Sequence, residues 1–303
     1  MLGAKAVARA KINLFLEVWP RRDDGYHEVR SVMQSLELSD ELYFRRTDGS
    51  CGGIVIRCND TGVPATSENL VWKAIEVFDE RTGSMSGGGI EVLINKRIPI
   101  GAGLAGGSAD AAAALLAMNH IFEMEMPLHI LAEMGALVGS DVPFCMSGGT
   151  ALVTGRGELV EHLDPLPPFQ VVLASTGKEV STREVYERFD TLGAGFSTAP
   201  EGMESTFKAL LEGIRNRDFE GIYPNLHNSL ESATIARGRV EHYKDVARGA
   251  GASGALMTGS GPTVFALVSG IEQAAEVAWE LEKAAPVTIV TSFADRGAEI
   301  SAV

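Results

Sequence analysis

Two features of this sequence could do chemistry: a glycine-rich segment and an isolated carboxylate. Residues 99–110 read PIGAGLAGGSAD and contain the pattern G-x-G-x-x-G between a predicted strand and a predicted helix. Glycines let the backbone approach a phosphate closely, and the amide groups at a helix N-terminus attract anions. Asp141 lies in the mostly apolar sequence GSDVPF, where a carboxylate could accept the proton of a substrate hydroxyl. The sequence therefore predicts anion binding together with acid–base chemistry.

Three common phosphate sites do not fit the glycine segment. A dinucleotide site needs a second strand that ends in an acid about 20 residues on, whereas Glu123 follows a helical pattern directly. A Walker A loop needs Ser or Thr after Gly-Lys, but Glu179 follows the pair at 177–178, and the protein-kinase tripeptides HRD and DFG do not occur. Two interpretations remain. One is another anion-binding loop, in which Ser108 caps the helix and offers its hydroxyl to a phosphate or Mg²⁺; the other is a tight turn with an ordinary serine cap.

Hydrophobic periodicity predicts an α+β fold with strands first and helices later. The expected strands of the first half are Val7–Trp19, Ser31–Phe44, Gly53–Cys58, Ile90–Ile98 and Gly148–Gly155, with helices over 67–81, over 108–122 and from Pro127. After a strand at Phe169–Ser175, helices are expected over 181–192, 201–217, 225–237 and 239–249, and the chain closes in the order β-β-α-β over 255–257, 263–268, 271–285 and 287–293. A proline-rich stretch at 161–168 predicts a boundary between domains 1–160 and 161–303.

Composition narrows the range of partners. The 303 residues carry 40 acids against 26 Lys and Arg, a net charge of −14, which disfavours nucleic acid as a partner and means that an anionic ligand must be held by a local site. Cys51, Cys58 and Cys145 form no CxxC pair, so neither a zinc site nor a disulfide framework is expected. Because no apolar run is long enough to span a bilayer, we expect no membrane partner and a cytoplasmic location. The sequence does not predict an oligomeric state.

Five segments resemble motifs of one enzyme family, the GHMP small-molecule kinases. AKINL at 10–14, the glycine segment at 99–110 and TGSGPTVF at 258–265 are similar, in order and spacing, to the three motifs of that family. DGYHE at 24–28 and GSDVPF at 139–144 resemble the branch that phosphorylates a cytidine-diphosphate-linked polyol in bacterial isoprenoid-precursor synthesis. The resemblance implies an N-terminal domain with a mixed sheet and helices, a C-terminal ferredoxin-like α/β domain, and ATP with Mg²⁺ as the phosphoryl donor.

The resemblance also assigns roles to individual residues. Asp141 would be the general base, and Lys11 would stabilise the charge of the carboxylate and of the transferring phosphoryl group. His27 would bind the edge of the cytosine, Tyr26 and Tyr186 would stack on it, and Asn13 would add a polar contact to the acceptor. The ATP-binding residues would be Asn69, Leu70 and Lys96 near the adenine and Pro99, Gly101, Ala102, Gly103, Leu104, Ala105, Gly106, Gly107 and Ser108 around the phosphates, with Ser108 the one predicted metal ligand.

Alternatives exist at the level of both function and single residues. A GHMP kinase for mevalonate, homoserine or a sugar is disfavoured by the run Gly25-Tyr26-His27, and a non-catalytic nucleotide-binding relative is disfavoured because Lys11 and Asp141 are both present. Locally, Asp141 could be a turn acid, and Lys96 could be a solvated residue at a strand end.

Overall fold

The computed structural model describes residues 3–48, 53–193 and 202–302; Cys51 and Glu201, both named above, lie outside the described residues. The N-terminal half contains β1 (Gly3–Arg21), β2 (His27–Asp48), β3 (Gly53–Cys58), α1 (Leu70–Thr82), β4 (Gly88–Asn95), α2 (Gly106–Ile121), α3 (Leu128–Val138), α4 (Val142–Ser147), β5 (Thr150–Thr154) and β6 (Leu159–His162). The remainder contains β7 (Gln170–Ser175), α5 (Thr182–Thr191), α6 (Met203–Asn216), α7 (Phe219–Ile222), β8 (His227–Asn228), α8 (Arg237–Gly249), β9 (Gly254–Met257), β10 (Val264–Val268), α9 (Ile271–Glu282), β11 (Val287–Ser292) and β12 (Glu299–Ala302).

The larger sheet is mixed and runs in the order β12-β1-β2-β4-β3, with β5 and β6 continuing from β2 and the short β8 beside β1. The pairs β3–β4 and β1–β8 are parallel, and the other pairs are antiparallel. Helices α1 to α4 pack on this sheet over one apolar core. The buried alanines of α2, from Ala109 to Ala117, let this central helix lie close to its neighbours.

The smaller sheet is antiparallel and runs in the order β11-β7-β10-β9. Helices α8 and α9 pack against it, which gives the ferredoxin-like arrangement that the resemblance implies. A third apolar cluster joins the two sheets, and Ile12 and Leu14 of β1 lie in it beside Leu256 and Phe265. The predicted α+β fold class is therefore confirmed.

The helix expected over residues 225–237 was wrong. The segment instead forms two 3-10 turns around β8, and α8 begins only at Arg237. Asn228 explains the difference, because its amide donates to the carbonyls of Met257 and Gly259 and its oxygen accepts from the Leu230 amide. These contacts with a distant loop outweigh the helical preference of the segment.

Element ends also differ from the expectation in ways that matter for the site. Helix α1 begins at Leu70 rather than near residue 67, because the Asn69 side chain accepts from the Val71 amide as the N-cap. The closing strand β12 was not expected; it returns to the large sheet and pairs with β1. The domain boundary near residue 160 stays a prediction.

Candidate active site

One cavity of about 870 Å³ lies between the large sheet, the N-terminus of α2 and helix α5. Every residue predicted above to be catalytic, or to bind the acceptor or ATP, lines it. The lining includes the glycine segment and Asn69, the His27 and Tyr186 rings, and Lys11. The fold thus collects residues from widely separated segments around a single space.

Lys11 and Asp141 face each other in this cavity. The Lys11 ammonium lies 3.5 Å from Asp141 Oδ2, donates to Asn13 Oδ1 at 2.8 Å and is 3.4 Å from the Gly103 carbonyl oxygen. The Lys11 side chain is 5% exposed and that of Asp141 is 29% exposed. A buried cation beside an accessible carboxylate therefore lies next to the glycine segment.

Irregularities in β1 orient these side chains. The ladder between β1 and β2 shifts register between Arg9 and Lys11 and again between Asn13 and Phe15, as at β-bulges. In this irregular stretch, the Lys11 amide donates to the Leu104 carbonyl at 3.1 Å, and the Asn13 amide donates to Thr258 Oγ1 at 3.1 Å. The bulged strand thereby connects the glycine segment to the 258–265 motif.

The glycine segment turns sharply into α2. Gly101, Gly103 and Ala105 have positive φ angles of 61°, 76° and 57°. Ala105 is the N-cap residue and makes no side-chain cap, so Ser108 is the third residue of the helix. The prediction that Ser108 caps the helix was wrong, because the left-handed Ala105 starts the helix earlier.

That early start exposes backbone donors to the cavity. Within the described residues, the amides of Gly106, Gly107 and Ser108 have no backbone acceptor, and the first acceptor in the helix, Ala105 O, binds the Ala109 amide. Free amides at a helix N-terminus are suited to a phosphate.

At Gly103 the need for glycine comes from the protein itself. A Cβ on Gly103 would lie 2.4 Å from the Thr258 carbonyl oxygen and 3.1 Å from that of Gly261. The conformation and the close approach both require glycine here, whatever the ligand.

Lys96 is buried rather than solvated, contrary to the local alternative considered above. Its ammonium contacts Asp40 and lies 2.9 Å from Asp110 Oδ2, and the Lys96 side chain is 6% exposed. Burial raises the pKa of Asp110 to about 8; Asp40 adds to this rise and Lys96 opposes it. Asp40 also accepts from the Arg97 and Ile98 amides. This cluster fixes the strand that leads into the glycine segment.

Part of the cavity lining is aromatic. The His27 and Tyr186 ring centroids lie 4.9 Å apart, and the Arg156 guanidinium lies 4.9 Å from the centre of the Tyr26 ring. Burial raises the pKa of Tyr186, so its hydroxyl stays neutral. His27 Nε2 is 2.7 Å from Asp190 Oδ1. Sequence reasoning missed Arg156 and Asp190, because neither stands in a motif or next to one.

Two predicted ATP contacts also have structural partners. Asn69 caps α1 with its oxygen and donates its amide to the Pro64 carbonyl at 2.8 Å. Leu70 lies beside Gly107, and a Cβ on this glycine would be 3.4 Å from Leu70 Cδ1. The side-chain amide of Asn69 is thus already engaged, and its backbone is too, because its N–H donates to the Thr66 carbonyl and its C=O accepts from the Lys73 amide.

A second cavity, of about 650 Å³, lies in the C-terminal half and contains no predicted site residue. Its buried Lys244 is paired with Glu231 at 2.8 Å, and Glu231 also accepts from the Met257 amide. These contacts bind α8 to β9. Among residues 3–48, 53–193 and 202–302, no group of three or more His, Cys, Asp or Glu side chains could hold a metal ion, and no helix is long and apolar enough to cross a membrane.

Comparison with known proteins agrees with this geometry. Residues 69–149 match the GHMP kinases N terminal domain, and residues 210–286 match the GHMP kinases C terminal domain. A relative from Exiguobacterium sibiricum, 4-diphosphocytidyl-2-C-methyl-D-erythritol kinase, is 44% identical over 86% of this chain and 87% of its own length. The chain belongs to the 4-diphosphocytidyl-2-C-methyl-D-erythritol kinase family of GHMP kinases. Members of this family are small-molecule kinases, so ATP is the phosphoryl donor.

Solved structures of GHMP kinases with different acceptors match this chain equally well in fold. A crystal structure of 4-(cytidine 5'-diphospho)-2C-methyl-D-erythritol kinase matches with a TM-score of 0.77 at 32% identity, covering 95% of this chain and 98% of that one. A homoserine kinase from Cytophaga hutchinsonii also gives 0.77, but at 21% identity, covering 99% and 97%. Equal TM-scores for different kinases mean that the fold by itself does not identify the acceptor.

Proposed function

We propose that this protein transfers the γ-phosphoryl group of ATP to the 2-hydroxyl of 4-diphosphocytidyl-2-C-methyl-D-erythritol, a step in the non-mevalonate route to isoprenoid precursors, in the cytoplasm. The observation that carries the proposal is the set of groups that share one cavity. Helix amides suited to phosphates line it, Lys11 of the Lys11–Asp141 pair contacts the glycine segment, and a His27–Tyr186 surface suited to a base lines the same cavity.

Asp141 is the proposed general base. Its carboxylate is accessible from the cavity, and it lies in the loop that approaches Ser108 at the start of α2. An acceptor hydroxyl between Asp141 and the γ-phosphate would give its proton to the carboxylate as its oxygen attacks phosphorus and ADP leaves. In-line transfer needs mainly such positioning, because the protein forms no covalent bond in the reaction.

Lys11 is the proposed source of positive charge at the reacting group. It is held by Asn13 and by the Gly103 carbonyl, so its ammonium does not have to reorganise when charge develops on the transferring phosphoryl oxygens. Lys96 is unsuited to that role, because the side chains of Asp40 and Asp110 already occupy its ammonium. We therefore propose Lys96 as a contact at the adenine end, as the family resemblance implies.

Mg²⁺ is the proposed metal, with Ser108 as its protein ligand. The Ser108 hydroxyl makes no hydrogen bond to another described residue and lines the cavity next to the free helix amides. A site with one hydroxyl and no carboxylate cage fits Mg²⁺, which keeps several waters and binds largely through substrate phosphates. When bound, the ion would neutralise charge on the β- and γ-phosphates.

The acceptor's cytosine is proposed to lie against Tyr26 and Tyr186, with His27 at its edge and Asn13 nearer the reacting end. The tilted pair of His27 and Tyr186 offers one polar edge and one stacking face, and the Arg156 guanidinium packs over the Tyr26 ring. Stacking is worth about 1 to 3 kcal/mol for one base. A sugar, homoserine or mevalonate would leave these rings without a partner.

An acceptor panel tests the proposal. Purified protein is incubated with ATP, Mg²⁺ and one acceptor at a time: the cytidine-diphosphate-linked methylerythritol, mevalonate, homoserine or a hexose. We expect ADP only with the first, and phosphorus NMR of the product should give a phosphate on the 2-hydroxyl. ADP formation with another acceptor and not with the first would identify a different GHMP kinase. No acceptor-dependent ADP at all would indicate the non-catalytic alternative.

A further inference from the structure

The imidazole of His27 has a fixed partner on the helix that covers the cavity. Its Nε2 lies 2.7 Å from Asp190 Oδ1, across 163 residues of sequence. The His27 side chain is 7% exposed, and its Nδ1 has no hydrogen-bond partner among the described residues. One ring nitrogen is thus committed to the protein, and the other is left for whatever occupies the cavity.

A carboxylate partner decides which ring nitrogen carries the proton. Asp190 can only accept a hydrogen bond when ionised, so Nε2 must be the donor. In a neutral imidazole, Nδ1 is then a bare acceptor. In this neutral form, His27 offers a lone pair to the ligand and pairs with a group that has a hydrogen to give.

The position of Asp190 is unfavourable for the helix itself. It is the penultimate residue of α5, Thr182–Thr191, where the partial negative charge of the helix C-terminus repels a carboxylate. Its side chain makes no hydrogen bond other than that to His27 within the described residues. Helix stability does not explain an acid at this place, whereas the contact with His27 does.

We propose that Asp190 is a positioning residue that fixes His27 as the Nε2–H tautomer, and that this makes the site prefer a pyrimidine with an amino group over one with an oxo group at the same edge. The inference rests on the proposed function, because it takes the base to lie at His27. Cytosine presents an exocyclic amine that can donate to Nδ1. Uracil presents an oxygen there, and two acceptors would face each other without a hydrogen.

The tautomer is measured first, without any substrate. Nitrogen-15 NMR of protein labelled at histidine separates protonated from bare ring nitrogens, and the signals of His27, one of six histidines, are assigned by their loss in His27→Gln. At about pH 8 we expect a protonated Nε2 and a bare Nδ1 in the unmodified protein. In Asp190→Ala we expect a mixture of the two His27 tautomers. In Asp190→Asn the amide oxygen can accept from Nε2–H, so the Nε2–H tautomer should be retained. Arg188→Ala, an exposed change on the same helix, should alter nothing.

Base preference is measured next, as the ratio of kcat/KM for the cytidine-linked acceptor to that for its uridine counterpart. We expect this ratio to fall about three- to tenfold in Asp190→Ala, as for the loss of one hydrogen bond, and to stay near its original value in Asp190→Asn and Arg188→Ala. The proposal is overturned if Asp190→Ala leaves the tautomer of His27 unchanged. It is also overturned if the kcat/KM ratio changes in a variant that keeps the tautomer, or stays the same in one that loses it. If the unmodified protein phosphorylates neither acceptor, the proposed function fails, while the NMR result still decides the role of Asp190 toward His27.

Discussion

Asp141→Asn separates the chemistry of this site from its stability. The change keeps the shape of the side chain and removes the proton acceptor, so turnover should fall about 10² to 10⁴-fold, equivalent to about 3 to 5 kcal/mol in the barrier. The loss of stability should be much smaller. At 3.5 Å, the full charge pair with Lys11 would be worth about 5 kcal/mol at an effective dielectric constant of about 20. Because Asp141 is 29% exposed and Lys11 keeps Asn13 as a partner, we expect a loss of only about 1 kcal/mol.

The assay is acceptor-dependent ADP release at saturating ATP and acceptor, with urea unfolding measured on the same preparations. The control is Asp295→Asn, which removes an acid whose side chain is 72% exposed and whose partner Arg296 is 3.9 Å away; it should leave both quantities unchanged. If Asp141→Asn keeps more than about a tenth of the original turnover, Asp141 is not the general base. If the urea midpoint of Asp141→Asn falls so far that this variant is unfolded in the assay, its turnover is measured again at a lower temperature at which it is folded. The general-base assignment requires that turnover is still slow under those conditions.

Three further outcomes follow from the structure. Gly103→Ala should destabilise the protein by at least about 1 to 2 kcal/mol in urea unfolding, because φ is +76° and the new Cβ would lie 2.4 Å from the Thr258 carbonyl oxygen. The control Gly107→Ala, whose Cβ would meet only Leu70 at 3.4 Å, should be neutral or stabilising. Equal urea midpoints for the two variants would contradict the close approach at Gly103. Asp110 has a pKa raised to about 8, mainly by burial, so it holds a proton that the unfolded chain releases, and its contribution to stability should decline as pH rises from about 4 to 8. Asp110→Asn should flatten the unfolding free energy over that range, by up to about 1.4 kcal/mol per pH unit, and a profile parallel to that of the unmodified protein would refute the assignment. Tyr186→Ala should raise the KM for the acceptor about tenfold with little change in the KM for ATP, as expected for lost stacking. An unchanged acceptor KM would mean that the base binds elsewhere in the cavity.

Much of the fold could be predicted from local patterns. The strands at 53–58 and 169–175 and the helix over 181–192 follow from periodicity and capping within a few residues, and the structure has them as β3, β7 and α5. Strand β8 and the strand β12 could not be predicted. They have two and four residues and exist only because β1 offers backbone partners.

The motifs determined which residues would come together, and all of them do line one cavity. Short patterns succeed here because a glycine with positive φ, or amides at a helix start, depend on neighbouring residues alone. The sequence was less informative about Ser108 and Lys96. The left-handed Ala105 moved the helix start, and Asp40 and Asp110 surround a lysine whose own neighbours resemble a solvated strand end.

By itself, then, the sequence determined the family and the fold class, and it predicted the residues that line the candidate site. Only the tertiary structure decided how those residues are held: Lys11 on a bulged strand opposite Asp141, and His27 against an acid 163 residues away. The physical reason is the range of the interactions. Helix starts, turns and strand periodicity are fixed by contacts over a few residues. The charge next to a lysine, or the proton on an imidazole, instead depends on which distant segment the fold brings into contact, as at 3.5 Å for Lys11 and 2.7 Å for His27.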